Sequence, residues 1–330
     1  MKSSSIVKPK SVLDQSYQLD SPVLFLIFNR PQNTSQVFEA MKKAKPAKLF
    51  VAADGPRAGC AGEDQQCAMA RRIATAVDWP CKVKTLFRKE NLGCRRAVST
   101  AIDWFFEHVE DGIILEDDCV PDPSFFRYTQ ELLDYYRDDN RVMVISGDHF
   151  HGDAHQPPYS YFFSRYNHCW GWASWRRAWR LYDRDMSKWP GLRESDWLLC
   201  IGNGNRLFQR YWTEIFDLAH ADKIDSWAYR WTFSCWVQNG LTILPARNLV
   251  TNIGFGVGAT HTKGRNDMQS NLKLEQLDFP LCHPSDMVRD VAADLWTDRY
   301  VLSIRGLTLF KKIVRKIPGV PALVRLLRRN

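Results

Sequence analysis

No stretch of this 330-residue sequence is apolar for long enough to cross a membrane. A spanning helix needs roughly 18 or more apolar residues in a row, and the most apolar segments here are short and strand-like. Residues 1–20 are polar and lack the apolar centre of a signal peptide, which predicts a protein that is not exported. Nine cysteines are present, but none form a CxxC or a zinc-ligand spacing, so we expect reduced thiols in a cytosolic protein.

Two glycine-rich phosphate-binding motifs are also missing. No GxGxxG follows the first apolar run, and no GxxxxGK[ST] occurs anywhere in the chain. These absences argue against dinucleotide-dependent oxidoreductases and against P-loop enzymes.

The net charge of +8 is concentrated at one end of the chain. Residues 303–330 contain eight basic residues and no acid: Arg305, Lys311, Lys312, Arg315, Lys316, Arg325, Arg328 and Arg329. Without those eight, 37 basic residues balance 37 acidic ones, so the body of the protein is neutral. A neutral body does not indicate a nucleic-acid partner.

The same tail has an apolar stripe at helical spacing. Its members are Ile304, Leu307, Phe310, Val314 and Ile317, with the lysines and arginines on the other side. This pattern is typical of a basic amphipathic helix that lies on an anionic membrane surface. The alternative is a helix that packs on the body with its charges in water.

Apolar runs alternate with amphipathic segments in the first half of the chain. Residues 23–28, 48–53, 81–87 and 112–115 are predicted to be short buried strands, and residues 33–45, 63–77 and 94–108 to be helices. This alternation predicts an α/β fold with a mostly parallel sheet and helices on both faces. We expect residues 21–302 to form a single domain between a polar extension, 1–20, and the basic tail, 303–330.

Polar residues follow the predicted strands, at the edge where open parallel sheets bind ligands. The most distinctive are Glu116, Asp117 and Asp118, directly after one strand. Adjacent carboxylates repel one another, so we expect a cation or a cationic partner beside them. A hard divalent ion held by one or two carboxylates and by substrate phosphates suits this pattern, and the alternative is a solvated acidic turn.

The segment ILEDDCVPD at residues 114–122 resembles the EDD form of the DXD motif in the glycosyltransferase A fold. The likeness extends over residues 23–262 and is similar to N-acetylglucosaminyltransferases of the first type and to related bacterial enzymes. It implies a Rossmann-like fold, a nucleotide-sugar donor, and Mn²⁺ or Mg²⁺ as cofactor. By this resemblance Asp118 is the metal ligand, Glu116 and Asp117 face the donor, residues 21–146 bind the nucleotide sugar, and residues 147–302 bind the acceptor.

Other segments follow the order of motifs in that family. Arg30 in FNRP resembles its phosphate-contacting arginine, and Asp54 in ADGP resembles its base- or ribose-binding acid. Asn91 and Arg95 in NLGCRR resemble the loop and helix start beside the donor, where a helix N-terminus favours phosphate. Taken alone, each of these segments is equally typical of an ordinary turn or of a solvated arginine.

Two further segments of the second half resemble functional parts of the family. Asp225 in IDSW corresponds to an acid beside a tryptophan that deprotonates the acceptor hydroxyl in inverting members. Asp217 and Asp222 are alternatives, because Ser226 stands where a second acid is common. The glycine-rich segment 254–261 ends in His261, which we expect to contact phosphate or the metal.

Several aromatic and histidine residues have simpler explanations. Ten of the thirteen tryptophans lie between Trp170 and Trp236, and we expect most of them in the core, although the HCWGWASW segment resembles the family's sugar-pocket segment. His149, His151 and His155 match no trusted zinc spacing and are predicted to be solvated.

The sequence therefore predicts a metal-dependent inverting glycosyltransferase that acts on a hydroxyl of a glycan or lipid-linked acceptor. Its expected place is the cytoplasmic face of a bacterial inner membrane, in cell-surface polysaccharide synthesis. The alternatives are a sugar nucleotidyltransferase, although residues 28–32 lack the expected glycine, and a non-catalytic sugar- or membrane-binding relative.

Overall fold

A mixed sheet with helices on both faces organises the chain in a computed structural model that describes residues 17–254 and 272–304. The strands are β1 (Val23–Ile27), β2 (Lys48–Ala53), β3 (Lys82–Phe87), β4 (Asp111–Glu116), β5 (Cys119–Pro121), β6 (Val142–Ser146), β7 (Tyr161–Ser164), β8 (Trp172–Trp175), β9 (Leu241–Pro245) and β10 (Val250–Asn252). The α-helices are α1 (Pro31–Ala44), α2 (Glu63–Ala74), α3 (Gly93–His108), α4 (Pro123–Tyr135), α5 (Arg176–Trp179), α6 (Trp189–Arg193), α7 (Trp197–Ile201), α8 (Arg206–His220), α9 (Ala228–Val237) and α10 (Val291–Trp296). A 3₁₀ turn covers Gly152–Ala154, and a π-helical turn, Thr297–Val301, continues α10.

Eight strands form the central sheet in the order β3-β2-β1-β4-β8-β6-β9-β7. Strands β3, β2, β1 and β4 are parallel to one another, and β6 is parallel to β9. Strand β8 is antiparallel to both β4 and β6, and β7 is antiparallel to β9. The predicted α/β class and mostly parallel sheet are therefore confirmed, and the two reversed strands make the sheet mixed.

The predicted strands and helices of the first half match the structure to within a few residues. One prediction about burial was wrong, because β3 is mostly exposed rather than buried. It lies at the edge of the sheet, and its lysines Lys82 and Lys84 keep that edge hydrated. Charged side chains on an edge strand discourage pairing with another chain.

Successive residues of β1 point to opposite faces of the sheet. Val23 and Phe25 pack in the core with α1, α2 and α4, whereas Leu24 and Leu26 pack in a second core with α3. Both faces are covered, as the continuous apolar run of β1 predicts.

The second half extends the same sheet, and most of its tryptophans are core, as expected. Trp172 stacks on Trp227 with ring centroids 5.5 Å apart, and Trp212 packs edge-on against Trp236 at 4.6 Å. These rings fill the face of the sheet that also receives α3, α8 and α9.

The ends of the folded body differ slightly from the predicted limits. Leu19 is fully buried and its carbonyl accepts from the Ala47 amide, so part of the predicted extension belongs to the body. At the other end, Ile304 packs on the core and donates from its amide to the Asp298 carbonyl. The rest of the predicted tail, 305–330, lies outside the described residues, and in the described ranges no helix combines the length and apolarity that a bilayer span requires.

The prediction that His149, His151 and His155 are solvated was wrong. His149 and His151 are buried, and all three rings pack against Phe162. His151 Nε2 lies 3.0 Å from the Ala293 carbonyl, so it contacts α10 directly. Sequence spacing did not reveal this because α10 covers the histidines from far along the chain.

Candidate active site

A cavity of about 710 Å³ opens at the carboxyl edge of the sheet. Strands β1, β2, β4 and β6 all end at this edge because they run in the same direction. Seven predicted site residues line the cavity: Arg30, Asp54, Asn91, Glu116, Asp117, Asp118 and Asp225. The structure thus brings together residues from both halves of the chain at the place where open α/β sheets bind ligands.

The Arg30 guanidinium is the cationic partner of the acidic run. It donates to Asp117 Oδ1 and, at 2.8 Å, from Nη1 to Asp118 Oδ2. Asp117 is almost fully buried, and its Oδ2 accepts from the Phe28 amide at 3.1 Å. The end of β1 and the end of β4 are therefore joined by charge as well as by their strand pairing.

The carboxylates at this edge still lie close to one another, and Arg30 offsets only part of their negative charge. Burial and the neighbouring carboxylates Asp118 and Asp117 raise the pKa of Glu116. Burial also raises the pKa of Asp117, against the opposing effect of Arg30. A further positive charge at this edge would relieve both carboxylates.

The carboxylate oxygens of the acidic run are the type of ligand that a hard divalent cation requires. The Asp118 side chain is 13% exposed, and its Oδ1 has the Cys119 thiol as a weak donor at 3.5 Å. Within residues 17–254 and 272–304 no group of three His, Cys, Asp or Glu side chains is placed to hold a metal. A cation at Asp118 therefore suits this chain only if a ligand supplies further oxygens, as a diphosphate does.

Gly254 lies in the cavity wall, where its backbone passes close to the side chains of Asp118 and Arg30. A Cβ at this position would lie 2.1 Å from Asp118 Oδ2 and 3.0 Å from Arg30 Nη1. Only glycine leaves room for the ion pair here. The next residues, including the glycine-rich segment to His261, lie outside the described residues.

Asp54 organises the loop between β3 and α3. Its carboxylate accepts from the amides of Gly55, Leu92 and Gly93 at 2.9–3.2 Å, while Asn91 Nδ2 donates to the Gly55 carbonyl. Burial raises the pKa of Asp54, and these amide donors oppose that effect. Both residues line the cavity, and they also hold its wall in shape.

Asp225 lies at the N-terminus of α3. Its two carboxylate oxygens accept from the amides of Cys94 and Arg95, each at 3.0 Å. A carboxylate is thus already bound where the sequence suggested a site for phosphate. Asp225 is exposed, and lines the cavity as well as capping the helix.

Arg95 and the two alternative acids do not line the described part of the cavity. Arg95 forms an ion pair with Asp222, which also pairs with Arg230. Asp217 pairs with Arg193 and accepts from the Trp189 indole at 3.0 Å. The expected donor contact of Arg95 therefore has no support in its position.

Several cavity residues were not predicted from the sequence. They are Arg57, Asp148, Asn167, Trp212, Tyr229 and Thr232. Arg57 follows β2, so its position after a strand was a usable signal; Arg88, which follows β3 and was expected at this edge, lines the cavity as well. Asp148 follows β6 in the same way, but the sequence shows no distinctive motif around it.

Comparisons with known proteins leave the family open. No protein-family model and no curated protein matches the chain. Among solved structures, HddC from Yersinia pseudotuberculosis is similar at 10% identity over 48% of this chain and 77% of that chain, with a TM-score of 0.28. The apo form of mouse xyloside xylosyltransferase 1 is similar at 11% identity over 65% of this chain and 80% of that chain, with a TM-score of 0.31. Similarities this low assign neither a family nor an activity.

Proposed function

We propose that this chain is an inverting glycosyltransferase of the A type, which moves a sugar from a nucleoside diphosphate sugar to a hydroxyl group. One observation carries the proposal: a single cavity is lined by the Arg30–Asp118 pair and by Asp225. The first two suit a diphosphate and its counter-ion, and the third suits removal of a proton.

The distribution of charge along the cavity supports this assignment. The arginines among its described lining residues, Arg30, Arg57 and Arg88, all come from the first half of the chain. Guanidinium groups bind phosphate oxygens through paired donors, so this end suits the nucleotide diphosphate. The other end is largely aromatic, and its described lining residues from Asp148 onwards include no lysine or arginine, which suits a sugar.

Asp118, with Asp117 behind it, would hold the divalent cation, Mn²⁺ or Mg²⁺. When bound, such a cation screens the negative charge that builds on the departing diphosphate. Arg30 shares the same carboxylate oxygens, so its guanidinium is placed to turn from Asp118 to a phosphate oxygen when the donor binds. The acidic run would therefore have a positively charged partner in both states: Arg30 in the free protein, and the divalent cation when the donor is bound.

Asp225 would accept the proton of the acceptor hydroxyl. Two amides of α3 hold its carboxylate in a fixed orientation, and each oxygen keeps a further lone pair for a substrate. Direct attack by that hydroxyl on the sugar inverts the anomeric centre and needs no covalent intermediate. The carboxylate acts once per turnover, as a general base.

The cellular setting that we propose rests on the tail. Eight basic residues and an apolar stripe suit attachment to an anionic membrane, where lipid-linked acceptors are found. Synthesis of bacterial cell-surface polysaccharide at the cytoplasmic face would use such an arrangement.

A screen for ligands tests the proposal. We would measure thermal unfolding of the full chain with a panel of nucleoside diphosphates and nucleotide sugars, with and without Mn²⁺, and then test the stabilising sugars for Mn²⁺-dependent hydrolysis. A ligand at 100 times its Kd stabilises by about 2.7 kcal/mol, and Asp118→Ala should remove the Mn²⁺-dependent part. If no nucleotide stabilises the wild type, the proposal fails. Release of pyrophosphate from a nucleoside triphosphate and a sugar phosphate would instead identify a nucleotidyltransferase.

A further inference from the structure

The proposed base, Asp225, is carried by the loop 221–227, which joins α8 to α9. An exposed side chain on a loop can adopt several orientations, and ordering one of them costs entropy. General-base catalysis requires a carboxylate that lies within hydrogen-bond reach of the acceptor hydroxyl. A base on such a loop therefore needs contacts that hold the loop in place.

A buried arginine of α9 provides contacts of this kind. Arg230 is 1% exposed, and its guanidinium group points at the loop. Nη1 donates to the Ser226 carbonyl at 3.2 Å, and Nη2 donates to Asp222 Oδ1 at 2.5 Å and to the Ala219 carbonyl. Because Asp222 precedes Asp225 and Ser226 follows it, one side chain fixes the loop on both sides of the proposed base.

The guanidinium of Arg230 is itself held from another direction. Its Nε donates to the Arg184 carbonyl at 2.9 Å, so all three nitrogens of the group have partners. Arginine presents its N–H donors in a rigid planar arrangement, whereas lysine offers a single compact ammonium group. Lysine at position 230 would therefore keep the positive charge but could not reproduce this set of contacts.

Arg95 joins the same loop to α3. Its guanidinium pairs with Asp222 Oδ1, the oxygen that also accepts from Arg230, and its backbone amide donates to Asp225 Oδ1 at 3.0 Å. Asp222 is thus held between two guanidinium groups, and it is not among the described residues that line the cavity. Of the two acids, Asp225 is the one that is placed to meet a substrate.

The backbone at two positions suits this close approach of the loop to α3. Asp222 has a φ of 55°, in the left-handed region, where Asp and Asn are tolerated better than most residues. Gly93 has a φ of 77°, and a Cβ there would lie 2.9 Å from Asp225 Oδ2. A side chain at position 93 would crowd the Asp225 carboxylate where it meets the amides of α3.

We propose that Arg230 and Arg95 are positioning residues, which hold Asp225 at the N-terminus of α3 through their shared contact with Asp222. This inference rests on the proposed function, because Asp225 is the base of that reaction. It gives Arg95 a role in turnover that requires no contact with the donor.

Two backbone amides report the position of Asp225. These reporter amides, of Cys94 and Arg95, donate to its carboxylate, so their hydrogen exchange should be slow in the wild type and fast in Asp225→Ala. We would measure their protection factors by NMR in the full chain. We expect Arg230→Lys to lower both protection factors at least tenfold, because the loop loses contacts on both sides of Asp225.

Milder variants keep the test informative if Arg230→Lys does not fold. Asp222→Asn suits the left-handed backbone and removes the charge that both arginines share, so protection of the reporter amides should fall about threefold. Arg95→Ala should have a similar effect, since a partly exposed ion pair contributes little. Because Arg95 acts through Asp222, the double variant should fall no further than Asp222→Asn alone.

Two controls separate positioning from general stability. The amides of Leu207 and Phe208, which Asn205 caps at the start of α8, should keep their protection in every variant. Arg96→Ala removes an exposed arginine at the next position of α3 and should leave the reporter amides protected.

Turnover provides the second readout. At saturating donor and acceptor, kcat should fall at least tenfold in Arg230→Lys and about threefold in Asp222→Asn. Calorimetry should show an unchanged Kd for nucleoside diphosphate with Mn²⁺ in these variants and in Arg95→Ala, because none of the three residues is among those described as lining the cavity. Weaker nucleotide binding in Arg95→Ala would place Arg95 on the donor and contradict the inference.

Reporter amides that stay protected in both Arg230→Lys and Asp222→Asn overturn the positioning role, and so does an equal loss of protection at Leu207 and Phe208. Lost protection with unchanged turnover shows that the contacts hold the loop but do not serve catalysis, which also overturns it. A wild-type chain without transferase activity refutes the proposed function instead, and the exchange rates then still decide whether the two arginines hold Asp225.

Discussion

The guanidinium of Arg30 lies 2.8 Å from the carboxylate of Asp118, so the ligand proposed for a metal already has a cationic partner within the chain. A cation and Arg30 compete for the same oxygen, Asp118 Oδ2. Binding of a nucleoside diphosphate would resolve that competition, because its phosphates give Arg30 another acceptor.

We expect Arg30→Ala to weaken nucleoside diphosphate binding about tenfold or more. A hydrogen bond to a charged group contributes about 1.5–3 kcal/mol, and 1.4 kcal/mol is a factor of ten in affinity. Calorimetry should also show tighter Mn²⁺ binding without nucleotide, since Asp118 loses its competitor. Arg72→Ala, at an exposed arginine outside the cavity lining, is the control, and equal effects of the two changes would contradict the role of Arg30.

Gly254→Ala should disturb the site without unfolding the protein. The new Cβ would lie 2.1 Å from Asp118 Oδ2, so that carboxylate must move away from Arg30. We expect nucleotide binding in the presence of Mn²⁺ to weaken at least tenfold, while the unfolding transition changes little. Gly191→Ala adds the same methyl group where nothing lies within 4 Å, and should leave binding unchanged.

Asp225→Asn separates catalysis from helix capping. Asparagine keeps one accepting oxygen for the two amides at the N-terminus of α3, so the fold and donor affinity should persist with a small loss of stability. Turnover at saturating donor should fall about a hundredfold or more, the range for a lost general base. Near wild-type turnover would leave Asp225 as a cap only.

Acid should destabilise the fold partly through His151. Burial lowers the pKa of His151 from 6.5 to about 4. Between those values the unfolded chain binds the proton and the folded chain does not, so the free energy of unfolding falls as pH is lowered through this window. Above it both states are neutral and the effect is absent.

The shift of His151 corresponds to a loss of about 3 kcal/mol across that window, at 1.36 kcal/mol per unit. Urea unfolding at several pH values should therefore show a flatter dependence in His151→Gln than in the wild type. His220→Gln changes an exposed histidine and should retain the wild-type slope. Identical slopes in all three proteins would show that His151 makes no contribution.

Removal of residues 305–330 tests the tail. The cut follows Ile304 because that residue packs on the core. Each Lys or Arg near an anionic surface contributes about 1 kcal/mol, and the attraction decays within a Debye length. The full chain should sediment with anionic vesicles at low salt and less so at high salt, whereas the truncated chain should not. A full chain that stays in solution at low salt would exclude the membrane role.

The sequence by itself determined the strands and helices of the first half and their α/β class, because hydrophobic periodicity is a local property. It also determined that an acidic run follows a strand and faces the ligand edge. It did not identify the exposed edge position of β3, which depends on the order of strands in the sheet.

Only the tertiary structure decided which residues share the site. Arg30 meets Asp118 across 88 positions of sequence, and Asp225 caps α3 across 130. Asp148 follows β6 and Trp212 lies in α8, yet both line the same cavity. Such contacts depend on strand order and helix packing, which no local pattern encodes, so the sequence predicts the elements of the site and the fold selects its members.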